Sequence, residues 1–165
     1  MEMQNNRFDI GNQSSQNILD MACKISCKPT AGDVILLKGP IGSGKTFFAR
    51  NFILESLKAY QLWDEVPSPS FSLIQVYDMI IPRICHVDLY RLSLRSEVLE
   101  LGLDELYGDS ITLIEWPDRL ENRLPERYVQ IEFSLDDHHE NLRNLSILFV
   151  GPNWNHLSSL FGEIF

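Results

Sequence analysis

The run Gly39-Pro-Ile-Gly-Ser-Gly-Lys-Thr46 sets glycines, a lysine and a hydroxyl at the spacing GxxxxGK[ST]. Residues of these types in this order can wrap a phosphate. Glycines let the backbone curl so that successive N–H groups converge on anionic oxygens, and a following helix adds the positive end of its dipole. Lys45 then reaches the β- and γ-phosphates, and the Thr46 hydroxyl can ligate Mg²⁺. The residues expected around the phosphates are Pro40, Ile41, Gly42, Ser43, Gly44, Lys45, Thr46 and Phe47. A chance match in a chain of this length is of order 1%. Context lowers that further, because an apolar run precedes the motif and an amphipathic helix follows it.

A loop of this kind needs a second acid near the magnesium, usually at the end of a neighbouring buried strand. Glu115 ends the apolar run Ile111-Thr-Leu-Ile114 and fits that place. Its plain alternative is a solvated strand-end carboxylate. In His86-Val-Asp-Leu-Tyr-Arg91, alternation puts His86, Asp88 and Tyr90 on one strand face. Asp88 could orient an attacking water or hold a metal-bound one; otherwise the run is an amphipathic strand with a solvated face. Ser68-Pro-Ser70 is a rigid turn carrying hydroxyls, where a γ-phosphate-sensing loop can sit, although Ser and Pro favour turns anyway. No NKxD signature for guanine occurs, so ATP is the expected nucleotide. An arginine-rich lid of the small-kinase type is also missing. His138-His139 reads as a solvated turn rather than a metal site.

The elements that must position these residues follow from periodicity. Residues 14–27 predict a helix, with Ile18, Met21, Ala22 and Ile25 at helical spacing after a Ser-Ser cap. Val34–Leu37 is short and continuously apolar, as a strand buried on both faces should be. A helix over Lys45–Tyr60 follows, with the stripe Phe48, Phe52, Ile53 and Leu57. Strands are expected over 71–78, 83–89 and 111–114, and a helix over 94–107. Tyr128–Leu135 and Leu142–Val150 read as an antiparallel hairpin. Within 151–165, Leu157, Leu160 and Phe161 could form a docked terminal turn. The expected fold is one α/β domain over 1–165: a three-layer P-loop NTPase-like domain with a mixed sheet and a C-terminal antiparallel hairpin.

Composition bounds the function. Hydrophobic residues make up 44% and charged residues 22% of the chain, an ordinary globular balance. No run approaches the roughly 18 apolar residues that span a bilayer. The polar start MEMQNNRFDIGNQ lacks the pattern of a signal peptide, so a cytoplasmic location with no membrane association is expected. Fourteen basic against 23 acidic residues give a net charge of −9, which argues against a broad face for nucleic-acid backbone. It does not exclude action near nucleic acid that another subunit holds. Cys23, Cys27 and Cys85 form no CxxC pair and read as buried, reduced thiols.

Four blocks in order, GPIGSGKT at 39–46, SPSF at 68–71, HVDLYRL at 86–92 and IEWP at 114–117, together resemble the TsaE (YjeE) family. The Leu101-Gly-Leu103 stretch between the last two also fits. The resemblance covers roughly residues 14–134. It implies a cytoplasmic ATPase with Mg²⁺, assembled with TsaB- and TsaD-like proteins that together modify A37 of tRNA to threonylcarbamoyladenosine. It also implies that Thr46 and Glu115 ligate magnesium, that Lys45 contacts phosphate, that Asp88 serves hydrolysis and that Trp116 works beside Glu115. The family usually has Thr where this chain has Ser70, so the hydroxyl survives without its methyl group.

The leading expectation is thus an ATPase that drives a tRNA-modifying cycle without doing the transfer chemistry, touching tRNA only through the complex. A small-molecule kinase and a nucleotide-gated binding module are the alternatives. No motif supplies an arginine for charge on the γ-phosphoryl; Arg50, Arg91 and Arg95 are candidates in cis. Slow hydrolysis by the isolated chain is therefore expected.

Overall fold

A computed structural model describes residues 7–162. Its centre is built from the most apolar runs: β2 (Val34–Lys38), β4 (Arg83–Asp88), β5 (Ser110–Glu115) and β6 (Tyr128–Leu135). These lie parallel in the order β6-β2-β5-β4. Antiparallel strands extend both edges, with β7 (Arg143–Val150) and then β1 (Arg7–Gln13) beyond β6, and β3 (Ile74–Tyr77) beyond β4. All seven form one mixed sheet.

Residues Val34–Leu37 of β2 are all apolar and buried because helices cover both faces of the strand. Ile35 and Leu37 join a core with α1 (Ser15–Ser26), α2 (Lys45–Ala59) and α5 (Asn155–Gly162). Val34 and Leu36 join a second core with α3 (Arg95–Glu100), α4 (Leu103–Leu106) and a 3-10 turn at Pro117–Leu120. Helices on two faces of a sheet make three layers. The α2 stripe Phe48, Phe52, Ile53 and Leu57 is fully buried. At the start of α1, the Ser14 hydroxyl accepts the Asn17 N–H at 3.2 Å, and Asn17 Oδ1 accepts the Ser14 N–H at 3.0 Å. This reciprocal cap satisfies two otherwise orphaned donors.

The structure departs locally from the sequence expectations and adds one strand they did not include. The helix over 94–107 is split, because Gly102 takes a left-handed φ of 61° that ends α3 before α4 begins. The strand over 71–78 starts only at Ile74, because the proline turn persists: the Leu73 N–H donates to Pro69 O at 2.7 Å. Strand β1 lies in a polar segment in which only Ile10 is fully buried, and pairing with β7 forms it. Of the three cysteines only Cys85 is buried; Cys27 caps the exposed end of α1, and Cys23 is half-buried. Burial pushes the Cys85 thiol up. The expected terminal turn is a full helix, α5, buried through Leu157 and Phe161 with Trp154 beside them. Residues 163–165 of that stretch, and 1–6 at the other end, lie outside the described residues.

At the end of β2 away from the glycine loop, the fully buried Asp33 pins α5 in place. Its carboxylate meets Arg127 Nη1 at 2.6 Å and His156 Nε2 at 2.8 Å. The Arg127 guanidinium lies over the Trp154 ring at 3.7 Å. Among the described residues, no helix is long and apolar enough to cross a membrane.

Candidate nucleotide site

Parallel strands bring their C-terminal ends to one edge, and the site forms there. In register, Leu37 of β2 lies beside Glu115 of β5, and Glu115 lies beside Asp88 of β4. Strand order alone therefore delivers two carboxylates to the level where the glycine loop leaves β2. Gly39 has a φ of 147°, and a Cβ there would stand 2.5 Å from Phe133 O. Only glycine fits this passage. Gly44 caps α2 with a φ of 112° and supplies no side-chain bond, so the first N–H groups of α2 stay free for an anion. Ser43 Oγ is buried with no hydrogen-bond partner among the described residues.

Lys45 is 4% exposed, and its ammonium donates to Gly39 O and Pro40 O, each at 2.8 Å. The Trp116 ring lies 4.0 Å below it. Burial pulls this ammonium below the usual lysine value, while the Glu115 and Asp88 charges work in the opposite sense. Trp116 reaches this position through an unusual left-handed φ of 60°, with its N–H on Leu37 O at 3.2 Å. Its ring also packs against Tyr90, with centroids 4.9 Å apart.

Thr46 Oγ1 donates to Glu115 Oε2 at 2.7 Å, across 69 residues of chain. His86 Nε2 lies 2.8 Å from the other oxygen, Oε1. Asp88 Oδ2 accepts from Ser70 at 3.0 Å and Ser68 at 3.3 Å, and Oδ1 accepts the Tyr90 N–H at 3.0 Å. Asp88 and Glu115 are 3% and 1% exposed, so neither is a solvated strand-end carboxylate. The His86 face of β4 is likewise buried.

A cleft of about 540 Å³ gathers these groups. Ile41, Gly42, Gly44, Lys45, Thr46 and Phe47 line one wall, and Ser70, Asp88, Tyr90, Glu115 and Trp116 line the other. Pro40 is exposed outside it and Ser43 is buried behind it. Each of the expected site residues thus lies in the cleft or in the loop that forms it. Arg50 and Arg91 do not. Arg50 donates to Val66 O at 3.0 Å, and Arg91 lies over Phe71 at 4.7 Å. The side chain of Arg95 lies outside the described residues. His139 folds onto Asp136 in the hairpin turn, with Nδ1 to Oδ1 at 3.1 Å.

One contributor escaped the sequence reading. Arg143, at the start of β7, donates to the loop carbonyls of Gly42 and Ser43, each at 3.2 Å. No motif marks it; only the β6–β7 register and its pairing to β2 through β6 carry it there.

The donors available for a cation are a hydroxyl and a carboxylate, Thr46 and Glu115, with Asp88 across the cleft. Hard oxygen ligands of this number suit Mg²⁺, which keeps waters and takes phosphate oxygens rather than a full protein cage. The residues fit the ion.

Fold and site together define a three-layer α/β domain with a glycine-rich loop between β2 and α2 that opens onto the cleft. A family model described as threonylcarbamoyl adenosine biosynthesis protein TsaE matches residues 12–145, and the chain belongs to this family. The tRNA threonylcarbamoyladenosine biosynthesis protein TsaE of Rickettsia bellii is 32% identical over 148 residues, covering 88% of this chain and 98% of the relative. Its Bacillus subtilis counterpart is 39% identical over 101 residues, covering 61% and 60%. The crystal structure of Bacillus subtilis YdiB has a similar fold, with a TM-score of 0.70 and 24% identity over 99% of this chain and 96% of that one.

Proposed function

We propose that this chain binds ATP with Mg²⁺ in the cleft and hydrolyses it, driving the machinery that makes threonylcarbamoyladenosine on tRNA rather than performing the transfer. The observation that carries this reading is the Thr46–Glu115 contact beside Lys45, which pairs a hydroxyl with a carboxylate where β- and γ-phosphates would lie. When bound, magnesium would neutralise phosphate charge as it builds on the leaving group. Lys45 and the N–H groups at the start of α2 would hold the phosphates. Asp88 would orient the attacking water, and its oxygens are already fixed by Ser68, Ser70 and the Tyr90 N–H.

A neighbouring cavity of about 190 Å³ shares Gly44 and Phe47 with the cleft and adds Ser15, Ile18, Ser43, Asn141 and Arg143. Its apolar floor, Ile18 and Phe47, suits the nucleoside end of ATP. The partners in this reading are TsaB- and TsaD-like proteins in the cytoplasm. They would hold the tRNA, in keeping with a net charge of −9 on this chain. Arg50 and Arg91 are engaged elsewhere, so a partner-supplied arginine would raise the rate by about 10³–10⁵.

Phosphate release should be measured for the chain alone, with the two partners, and with partners plus tRNA. Slow release alone that rises with partners is expected. Release that depends on a small-molecule acceptor would identify a kinase, and tight binding without turnover in any mixture would identify a nucleotide-gated module.

A further inference from the structure

We infer that His86 is a positioning residue that fixes the carboxylate of Glu115 for magnesium, an inference that rests on the nucleotide reading above. His86 is entirely buried, and the Glu115 side chain is 2% exposed. Each Glu115 oxygen takes one donor from a different side: Oε2 from Thr46 on α2, and Oε1 from His86 on β4. An ionised carboxylate only accepts, so Nε2 carries the hydrogen in this pair. His86 Nδ1 is then left buried with no hydrogen-bond partner among the described residues. An orphaned polar atom in a core is unfavourable. An apolar side chain would fill the position without that cost, so what the imidazole contributes is its single bond to Glu115.

Register explains why the contact forms. His86 pairs with Leu113 on β5, and two residues on Asp88 pairs with Glu115. His86 therefore stands one step below the two carboxylates on the same face of the sheet. The two donors to Glu115 are not equivalent. A metal at Thr46 Oγ1 draws on the same hydroxyl that holds Oε2, whereas the His86 bond to Oε1 is independent of it. His86 keeps the carboxylate aimed when the Thr46 bond is altered. Hydrogen bonds to ligand carboxylates of this type are worth about 10–100-fold in metal affinity.

The test compares wild type with His86→Gln, whose amide N–H can reach Oε1, and His86→Leu, which fills the volume without a donor. ATP affinity is measured by calorimetry, first with chelator and no magnesium, then at graded magnesium. All three proteins should bind metal-free ATP alike. His86→Leu should need about 10–100-fold more magnesium for the same gain in affinity, with His86→Gln within about threefold of wild type. Should His86→Leu not fold, His86→Asn replaces it, since its shorter amide cannot reach Oε1. An unchanged magnesium midpoint in the donor-less variant, beside a magnesium-dependent wild type, overturns the role of His86 alone. So does an equal loss with and without magnesium, which would mark a packing role. Wild type that binds ATP without regard to magnesium overturns the nucleotide–metal reading itself.

Discussion

Arg143 and Ser43 stand 100 residues apart in the chain, yet the guanidinium Nε donates to the Ser43 carbonyl at 3.2 Å. Its Nη2 donates to Gly42 O at 3.2 Å, and its Nη1 donates to Glu140 O and Leu142 O, each at 2.7 Å. One planar cation thus ties the turn between β6 and β7 to the glycine loop at Gly42 and Ser43. A carbonyl and the next N–H share one planar peptide, so holding Ser43 O also fixes the Gly44 N–H. We predict that Arg143→Met weakens ATP binding about tenfold, from losing charged hydrogen bonds worth about 1.5 kcal/mol. Arg143→Lys should recover little of this, because an ammonium has no rigid fork. Calorimetric titration with ATP would decide it, and an unchanged Kd would remove the loop-supporting role.

Lys45 gives a pH-dependent prediction. Its depressed pKa means that the free folded protein gives up this proton below the ordinary value of 10.5. Phosphate favours the charged ammonium, so binding takes up a proton in that window. Affinity should therefore fall as pH rises toward 10.5, and not change through neutrality on this account. Calorimetry in buffers of different ionisation enthalpy measures the proton uptake directly. Lys45→Ala should lose both the uptake and most of the affinity.

The two buried carboxylates should separate by phenotype. Asp88→Asn keeps the shape and one oxygen to accept the Tyr90 N–H, and it removes the charge. It also turns an amide donor toward Ser68 and Ser70, whose hydroxyls can rotate to accept it. Nucleotide binding should persist while hydrolysis falls by about 10²-fold or more. Glu115→Ala should instead weaken the magnesium dependence of binding. Single-turnover phosphate release beside titrations with and without magnesium distinguishes them. Wild-type hydrolysis by Asp88→Asn would return Asp88 to a structural role.

At the far end of β2, Asp33→Ala removes the partner of Arg127 and His156 together. Breaking a buried pair from one side costs about 3 kcal/mol. Thermal unfolding should show that loss, and ATP affinity of the folded protein should stay at the wild-type value. A matching loss of affinity would mean that the pin and the cleft are coupled through β2.

The parts legible in the sequence were those with short-range signatures. GPIGSGKT is contiguous, and Glu115 is marked by the end of an apolar strand. Asp88 needed both strand alternation and the neighbouring blocks. What stayed hidden depends on distance or on a single dihedral. Arg143 meets Ser43 only because β7 pairs with β6 and β6 with β2. The bond between His86 and Glu115 needs the β4–β5 register, which no local pattern encodes. Gly102 splits a helix that its flanking leucines extend by period alone, and β1 has too few buried positions to show alternation.

The pairing of β1 with β7, Arg7 opposite Leu148, has a consequence for the order of events on the ribosome. Strand β1 has no edge to join until β7, the last strand of this sheet, follows it out of the exit tunnel. During that interval β2, β5 and β4 can assemble, because their pairings with one another close once residue 115 has emerged. The nascent chain should therefore acquire Thr46, Asp88 and Glu115 in place before its own N-terminal segment docks. Such long-range closure is slow relative to local contacts. Chains arrested shortly after β5 should present the glycine loop while β1 is still accessible to a protease.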